Sequence, residues 1–425
     1  MSESEITDVT AWEVLDSRGH PTVRCEVTTP EGSGRFTVPA GASTGRFEAV
    51  ERRDGGDRYD GLGVTEAVSA VEGTLADAVV GRDVTDQAVT DAALERADGT
   101  DRFAVVGANA ALAVSGAVLH AASAATGRPL YRHLAENHGV EPSVPTPMVN
   151  VISGGLHARG GIEIQDFMAV PTRADSCADA LETAWEVRDA VRARMLENGH
   201  QPLVAAEGGF APPMDAVDEA FDLLVDGIER AGYDPGREVG VAVDIAASHF
   251  YDADAGTYRL ESVDRTLTRE EMIRTVIDWT TSYPVVSIED PLAEDDWEGW
   301  ERLADRTDED VQLLGDDLLV TSSDRLSRAI DRDLATAVLV KPNQAGTITR
   351  ALNVVADARE SGMESVVSAR SGETCDATIA DLAVGLDAGQ IKVGSLARSE
   401  RLAKYNRLLG IERTADLDLR RPLSL

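Results

Sequence analysis

The chain holds 425 residues, 43% of them hydrophobic, and sets 75 Asp and Glu against 40 Lys and Arg for a formal net charge of −35. A field of that sign repels a phosphate backbone, and no basic run exists to release counterions, which argues against a nucleic-acid partner. The acidic residues are spread among periodic apolar segments rather than gathered in a tail. That excludes a disordered acidic chain and fits adaptation to molar salt, where screening shortens charge repulsion to about 3 Å.

The first 135 residues open with alternating, strand-like runs, TDVTAWEVLD, PTVRCEVTTP and GRFTVPAG. Helical stretches follow, TEAVSAVEGTLADAVV and the Ala-rich GANAALAVSGAVLHAASAATG, so an α+β unit is expected over 1–135. A Pro-rich break at HGVEPSVPTP marks the linker. Beyond it short β-branched runs (VGVAVDI, YPVVSIED, VQLLGDD, TAVLVKPNQ, SVVSARSG, QIKVG) alternate with amphipathic segments such as LTREEMIRTVIDWTTS and TITRALNVVADARESG. That alternation predicts a parallel β/α barrel over 136–425, with chemistry at the C-terminal strand ends. The N-terminus is neither basic nor apolar enough for a secretory leader, and no apolar run approaches the roughly 20 residues of a membrane span. A cytoplasmic protein with no membrane partner is expected. Cys25, Cys177 and Cys375 are odd in number and lack C-x-x-C spacing, so they are expected as free thiols in a reducing compartment.

Lysine is scarce: Lys341, Lys392 and Lys404 stand against 37 arginines. Where guanidinium has replaced ammonium nearly everywhere, the survivors mark positions needing a compact, titratable cation. Two of them sit in strand-like contexts, and Lys404 reads as part of a structural ion pair. The strand ends also bring Asp244, Glu289 with Asp290, Asp316 with Asp317, and Arg370 with Ser371 toward one mouth. Each aspartate alone reads as a helix N-cap. Asp244, Glu289 and Asp316 together are hard oxygen donors suited to Mg²⁺. A lysine among such charges, its pKa lowered by desolvation, metal and a second ammonium, is a usable base. Removing a proton alpha to a carboxylate creates a dianion, which a metal would stabilise.

Long motifs run nearly end to end: LDSRGHPTV, VPAGASTGRFEA, PTPMVNVISGGLHA, IQDFMAVP, EGGFAPP, VDIAAS, SIEDP, GDDLLVT, LVKPNQAGT, SARSGET, DATIADLAVG and QIKVGSLARSERLAKYN. On them the chain resembles the enolase (phosphopyruvate hydratase) family. The resemblance implies an α/β fold, a C-terminal enolase-type β/α barrel behind a smaller N-terminal α+β domain, and Mg²⁺-dependent dehydration of 2-phosphoglycerate to phosphoenolpyruvate. A Lys base with one or two Mg²⁺ is the pattern of enolase-superfamily sites. Carried over residue by residue, it implies Lys341 as the base at C2 and Glu207 as the acid that expels the C3 hydroxyl. Asp244, Glu289 and Asp316 would hold the structural Mg²⁺, and Ser43 the second. Lys392 would bind the substrate carboxylate and Arg370 with Ser371 the phosphate, with His157, Gln165 and Asp166 in the substrate shell. A homodimer or octamer is also implied.

Five positions depart from the family's usual residues. Glu is usual where this chain has Asp166, Asp at Ala206, His at Ala369, Asn at Ser153 and Glu at His249. Asp166 keeps its charge but is one methylene short. Three readings therefore stay open: a working, salt-adapted enolase; an enolase-like paralogue acting on a different acid; and a non-catalytic binding or scaffold protein.

Overall fold

The computed structural model describes residues 3–42, 45–158 and 161–421. Ser43, expected to bind the second Mg²⁺, lies outside the described residues. Strands β1 (Asp8–Leu15), β2 (Pro21–Thr29) and β3 (Gly32–Thr37) form an antiparallel sheet in the order β1-β2-β3. The Ala-rich segment is a helix, Ala108–Thr126, laid on β2 and β3. Small residues bring the layers unusually close. A Cβ on Gly34 would stand 2.1 Å from the Ala121 backbone nitrogen, and one on Gly116 would enter the Phe36 ring. That helix is long and apolar enough to cross a membrane, which corrects the expectation that no segment approaches such a length; here it is mostly buried inside the protein.

From Thr146 onward, eight strands close into a barrel: β4 (Thr146–Ser153), β5 (Asp166–Pro171), β6 (Val239–Asp244), β10 (Val285–Glu289), β11 (Gln312–Gly315), β12 (Ala337–Val340), β13 (Glu364–Ser368) and β14 (Gln390–Gly394). A small sheet, β7 (Tyr251–Asp252), β8 (Thr257–Leu260) and β9 (Arg265–Thr268), is inserted between β6 and β10. Met148, Met168, Val170, Ala242, Leu314 and Leu339 are among the residues packed together as a second, smaller apolar cluster.

The expected all-parallel barrel needs one correction, because β5 runs antiparallel to both β4 and β6. Among the described residues no helix joins β4 to β5, and a connection without a crossover returns the chain in the opposite direction. The consequence is functional: in a reversed strand the first residue, not the last, reaches the mouth. Asp166 is therefore paired in register with Asp244 at the end of β6. Sequence patterning had not marked β4 and β5, since both are buried throughout and lack alternation. The predicted helices are present. Arg269–Ser282 starts in a capping box made by Thr268 and Glu271, and Ile348–Ser361 runs from the Thr347 cap to the left-handed Gly362.

Candidate active site

The parallel barrel strands deliver polar residues at or just past their C-terminal ends, and reversed β5 does so at its start. Asp244 ends β6 and Glu289 ends β10, and the two are register partners. Asp316 and Asp317 follow β11, Lys341 follows β12, Ala369, Arg370 and Ser371 follow β13, and Lys392 lies opposite Ser368 in β14. His157, Gln165, Glu207, Asp244, Asp316, Lys341, Arg370, Ser371 and Lys392 line a single narrow cleft, with Ala246, His249 and Ala369 beside them. Nearly all the expected site residues are thus gathered; Glu289 and Asp166 lie just beneath, 1% and 0% exposed.

Lys392 Nζ donates to Asp244 Oδ2 at 2.8 Å and to Glu289 Oε2 at 2.7 Å. Lys341 Nζ pairs with Asp316. Gln165 Nε2 donates to Asp244 Oδ2 at 3.0 Å, and Gln344 Nε2 to Asp316 Oδ1 at 2.9 Å. Burial and the neighbouring Asp244 push Glu289 well above the usual carboxylate range, against the pull of Lys392. Burial also works to raise Asp316, but the Lys341 ammonium outweighs it and holds the carboxyl low. The lowering expected of Lys341 invokes desolvation, a metal and a second ammonium, and burial and Lys392 do act in that direction. Asp316 and, more weakly, Glu289 act the other way, and among the protein's own groups the pKa is raised.

One of the expected metal ligands shows a need that a cation would meet. Glu289 Oε1 is buried without a hydrogen-bond partner, a costly state for a carboxylate oxygen that a cation would relieve. Asp244, Glu289 and Asp316 are not mutually close enough here to share an ion. Among the described residues, the sets whose donor atoms lie within 4.8 Å of one another are Asp290, Asp316 and Asp317, and His157, Asp166 and Glu207. Lys392 sits between Asp244 and Glu289, and Lys341 covers Asp316, so the lysines neutralise the carboxylates that a cation would otherwise bind. Asp290 is already committed, accepting from the Asp316 and Asp317 amides at 3.0 and 2.6 Å.

On the opposite wall His157 stands between two acids, Nδ1 at 2.8 Å from Asp166 Oδ2 and Nε2 at 3.6 Å from Glu207 Oε1. Burial lowers the imidazole, but the two carboxylates reverse that and bring its pKa to about 9. Burial likewise raises Glu207, and His157 with Arg401 overcomes it, leaving Glu207 low. The shortened Asp166 is clamped: Ser153 Oγ donates to its Oδ1 at 2.8 Å, and Asn150 Nδ2 donates to the same oxygen. Two of the five departures therefore contact each other. Two more, Ala369 and His249, line the cleft. The fifth, Ala206, faces a neighbouring open cavity of about 520 Å³ walled by Ile162, Val204, Pro212, Pro213 and Met214.

Sequence reasoning did not single out several supporting residues. Glu48 pairs with Arg370 at 2.9 Å and accepts from Gly45 N at 2.7 Å. Asn343 Oδ1 accepts from Arg370 at 3.1 Å. Thr321 accepts the Lys341 amide at 2.9 Å and donates to Gln344 at 2.8 Å while holding φ at 50°, a conformation costing a β-branched residue about 1–3 kcal/mol. They lie within the motifs VPAGASTGRFEA, GDDLLVT and LVKPNQAGT, the one signal the sequence offered, but their roles depend on contacts across the fold.

A closed barrel presenting buried carboxylates and lysines on successive strand ends, beside an α+β unit, has the layout of a β/α-barrel enzyme. The family model described as the enolase N-terminal domain matches residues 6–134, and that described as the enolase C-terminal TIM barrel domain matches 141–417. The chain belongs to the enolase family, whose members generally use Mg²⁺.

Proposed function

We propose that the protein is a Mg²⁺-dependent hydro-lyase interconverting 2-phosphoglycerate and phosphoenolpyruvate. The observation that carries this reading is that Lys341, Glu207, Lys392, Arg370 and Ser371 line one cleft with two of the three expected metal-binding carboxylates. Mg²⁺, held by Asp244, Glu289 and Asp316, would supply positive charge against the substrate carboxylate and its dianion. Asp316, in serving such an ion, would no longer pair with Lys341. Lys341 then takes the C2 proton, Lys392 orients the carboxylate, and Arg370 with Ser371 fixes the phosphate. Glu207, ionised beside the His157 imidazolium 3.6 Å away, takes up the imidazolium proton and passes it to the departing C3 hydroxyl.

The reading is tested with purified protein in molar KCl and Mg²⁺, following enolpyruvate absorbance from 2-phosphoglycerate. Turnover is expected, and Lys341→Ala should lower kcat by about 10²–10⁴-fold, the usual contribution of a positioned base. Folded, Mg²⁺-binding wild type without turnover would defeat it. Ala206 favours a second reading: the open cavity it faces has a mixed polar and apolar lining and borders His157. An enolase-like paralogue would use that space for a different acid. In that case Ala206→Asp and Ala369→His should confer 2-phosphoglycerate turnover on an inactive wild type.

A further inference from the structure

Helix Ser399–Ala415 turns Arg401, Lys404, Tyr405, Leu408 and Ile411 inward, the spacing of an amphipathic helix's core face. Two of these positions carry cations, Arg401 0% and Lys404 1% exposed. A buried charge is tolerated only when paired and hydrogen-bonded, so their partners define their use. Arg401 Nη1 donates to the carbonyls of Arg370 at 2.6 Å and Val393 at 3.0 Å, and Nη2 to that of Ser371 at 2.7 Å. Lys404 Nζ donates to Glu373 Oε2 at 2.7 Å, Thr374 O at 2.5 Å and Glu400 O at 2.9 Å, using all three of its N–H groups. Glu373 in turn accepts from the Arg370 amide at 3.0 Å and the Thr374 amide at 3.2 Å. Most of these bonds end on residues 370–374.

We infer that Lys404, with Arg401, is a positioning residue that fixes the 370–374 turn so that Arg370 and Ser371 meet an anionic group of the substrate. The inference rests on the anion-binding role given to those two residues above. Simple neutralisation of Glu373 would not need lysine in a chain that uses arginine for 37 of its 40 cations. A compact ammonium reaching three acceptors does, because the planar guanidinium is larger and spreads its donors in one plane.

Lys404→Met, Lys404→Arg and the double variant Lys404→Met/Glu373→Gln, which leaves no unpaired buried carboxylate, test this in molar KCl. Folding is followed by circular dichroism, inorganic phosphate affinity by calorimetry, and the turn by amide hydrogen exchange at 370–374. The expected double variant is folded and binds phosphate about 10- to 100-fold more weakly, with KM raised in proportion and kcat little changed. Its Arg370 and Thr374 amides exchange faster, and Lys404→Arg shares these defects. Wild-type phosphate affinity and exchange in either folded variant would overturn the inference. Should wild type itself not bind phosphate, the anion-site reading fails, and exchange alone decides: accelerated exchange upholds the brace, unchanged exchange overturns it.

Discussion

His157 shows how much a single side chain can gain from its neighbours. Its imidazole sits between Asp166 and Glu207 with its pKa pushed up to about 9, above its ordinary 6.5. A raised histidine pKa means that the native state holds the proton more tightly than the unfolded chain. The resulting stabilisation is complete below about pH 6.5 and is lost as pH rises through about 9, an effect on the order of 3 kcal/mol. Denaturant titrations across that window should show wild type weakening with pH and His157→Gln remaining nearly flat. Parallel curves for the two proteins would contradict the charged bridge. His157 was legible in the sequence through the GGLHA motif. The clamp on Asp166 was not, because Asn150 and Ser153 acquire their roles only when β4 pairs with β5.

At the scale of elements, most predicted strands and helices are found because turn residues and periodicity are local. The direction of β5 is not local. Its reversal follows from the helix-free link after β4, and it alone places Asp166 and Gln165 at the same mouth as the parallel strands. The contact between β3 and helix Ala108–Thr126 is similarly specific. Gly34→Ala would force a methyl into the backbone of Ala117 and Ala121, so the layers must separate. Overpacking of this kind costs about 1–3 kcal/mol, and thermal unfolding should show a clear loss. An unchanged midpoint would mean that the two layers are not held at that distance.

For the molecule as a whole, the charge of −35 opposes compaction at low ionic strength. Exposed arginines answer part of it through surface pairs such as Arg306 with Glu270 and Arg332 with Glu301. Pairs of this kind contribute about 0–1 kcal/mol each. The melting temperature should therefore climb steeply between dilute buffer and molar KCl, and a flat response would remove the case for salt adaptation. Mg²⁺ should add to it, since an ion at 100 times its dissociation constant stabilises by about 2.7 kcal/mol. Chelation should reverse that increment in wild type and have little effect on Glu289→Gln.

The sequence by itself determined the family, the strand and helix pattern, and the identity of the acids, lysines and arginine in the cleft, because motifs and periodicity are properties of neighbouring residues. The tertiary structure decided which groups touch. It turned β5 around and paired Lys341 with Asp316. It also placed Lys404 beneath the turn that carries Arg370 and Ser371. Burial and Coulomb interactions depend on distance in space, and residues 30 to 150 positions apart acquire that distance only when the barrel closes.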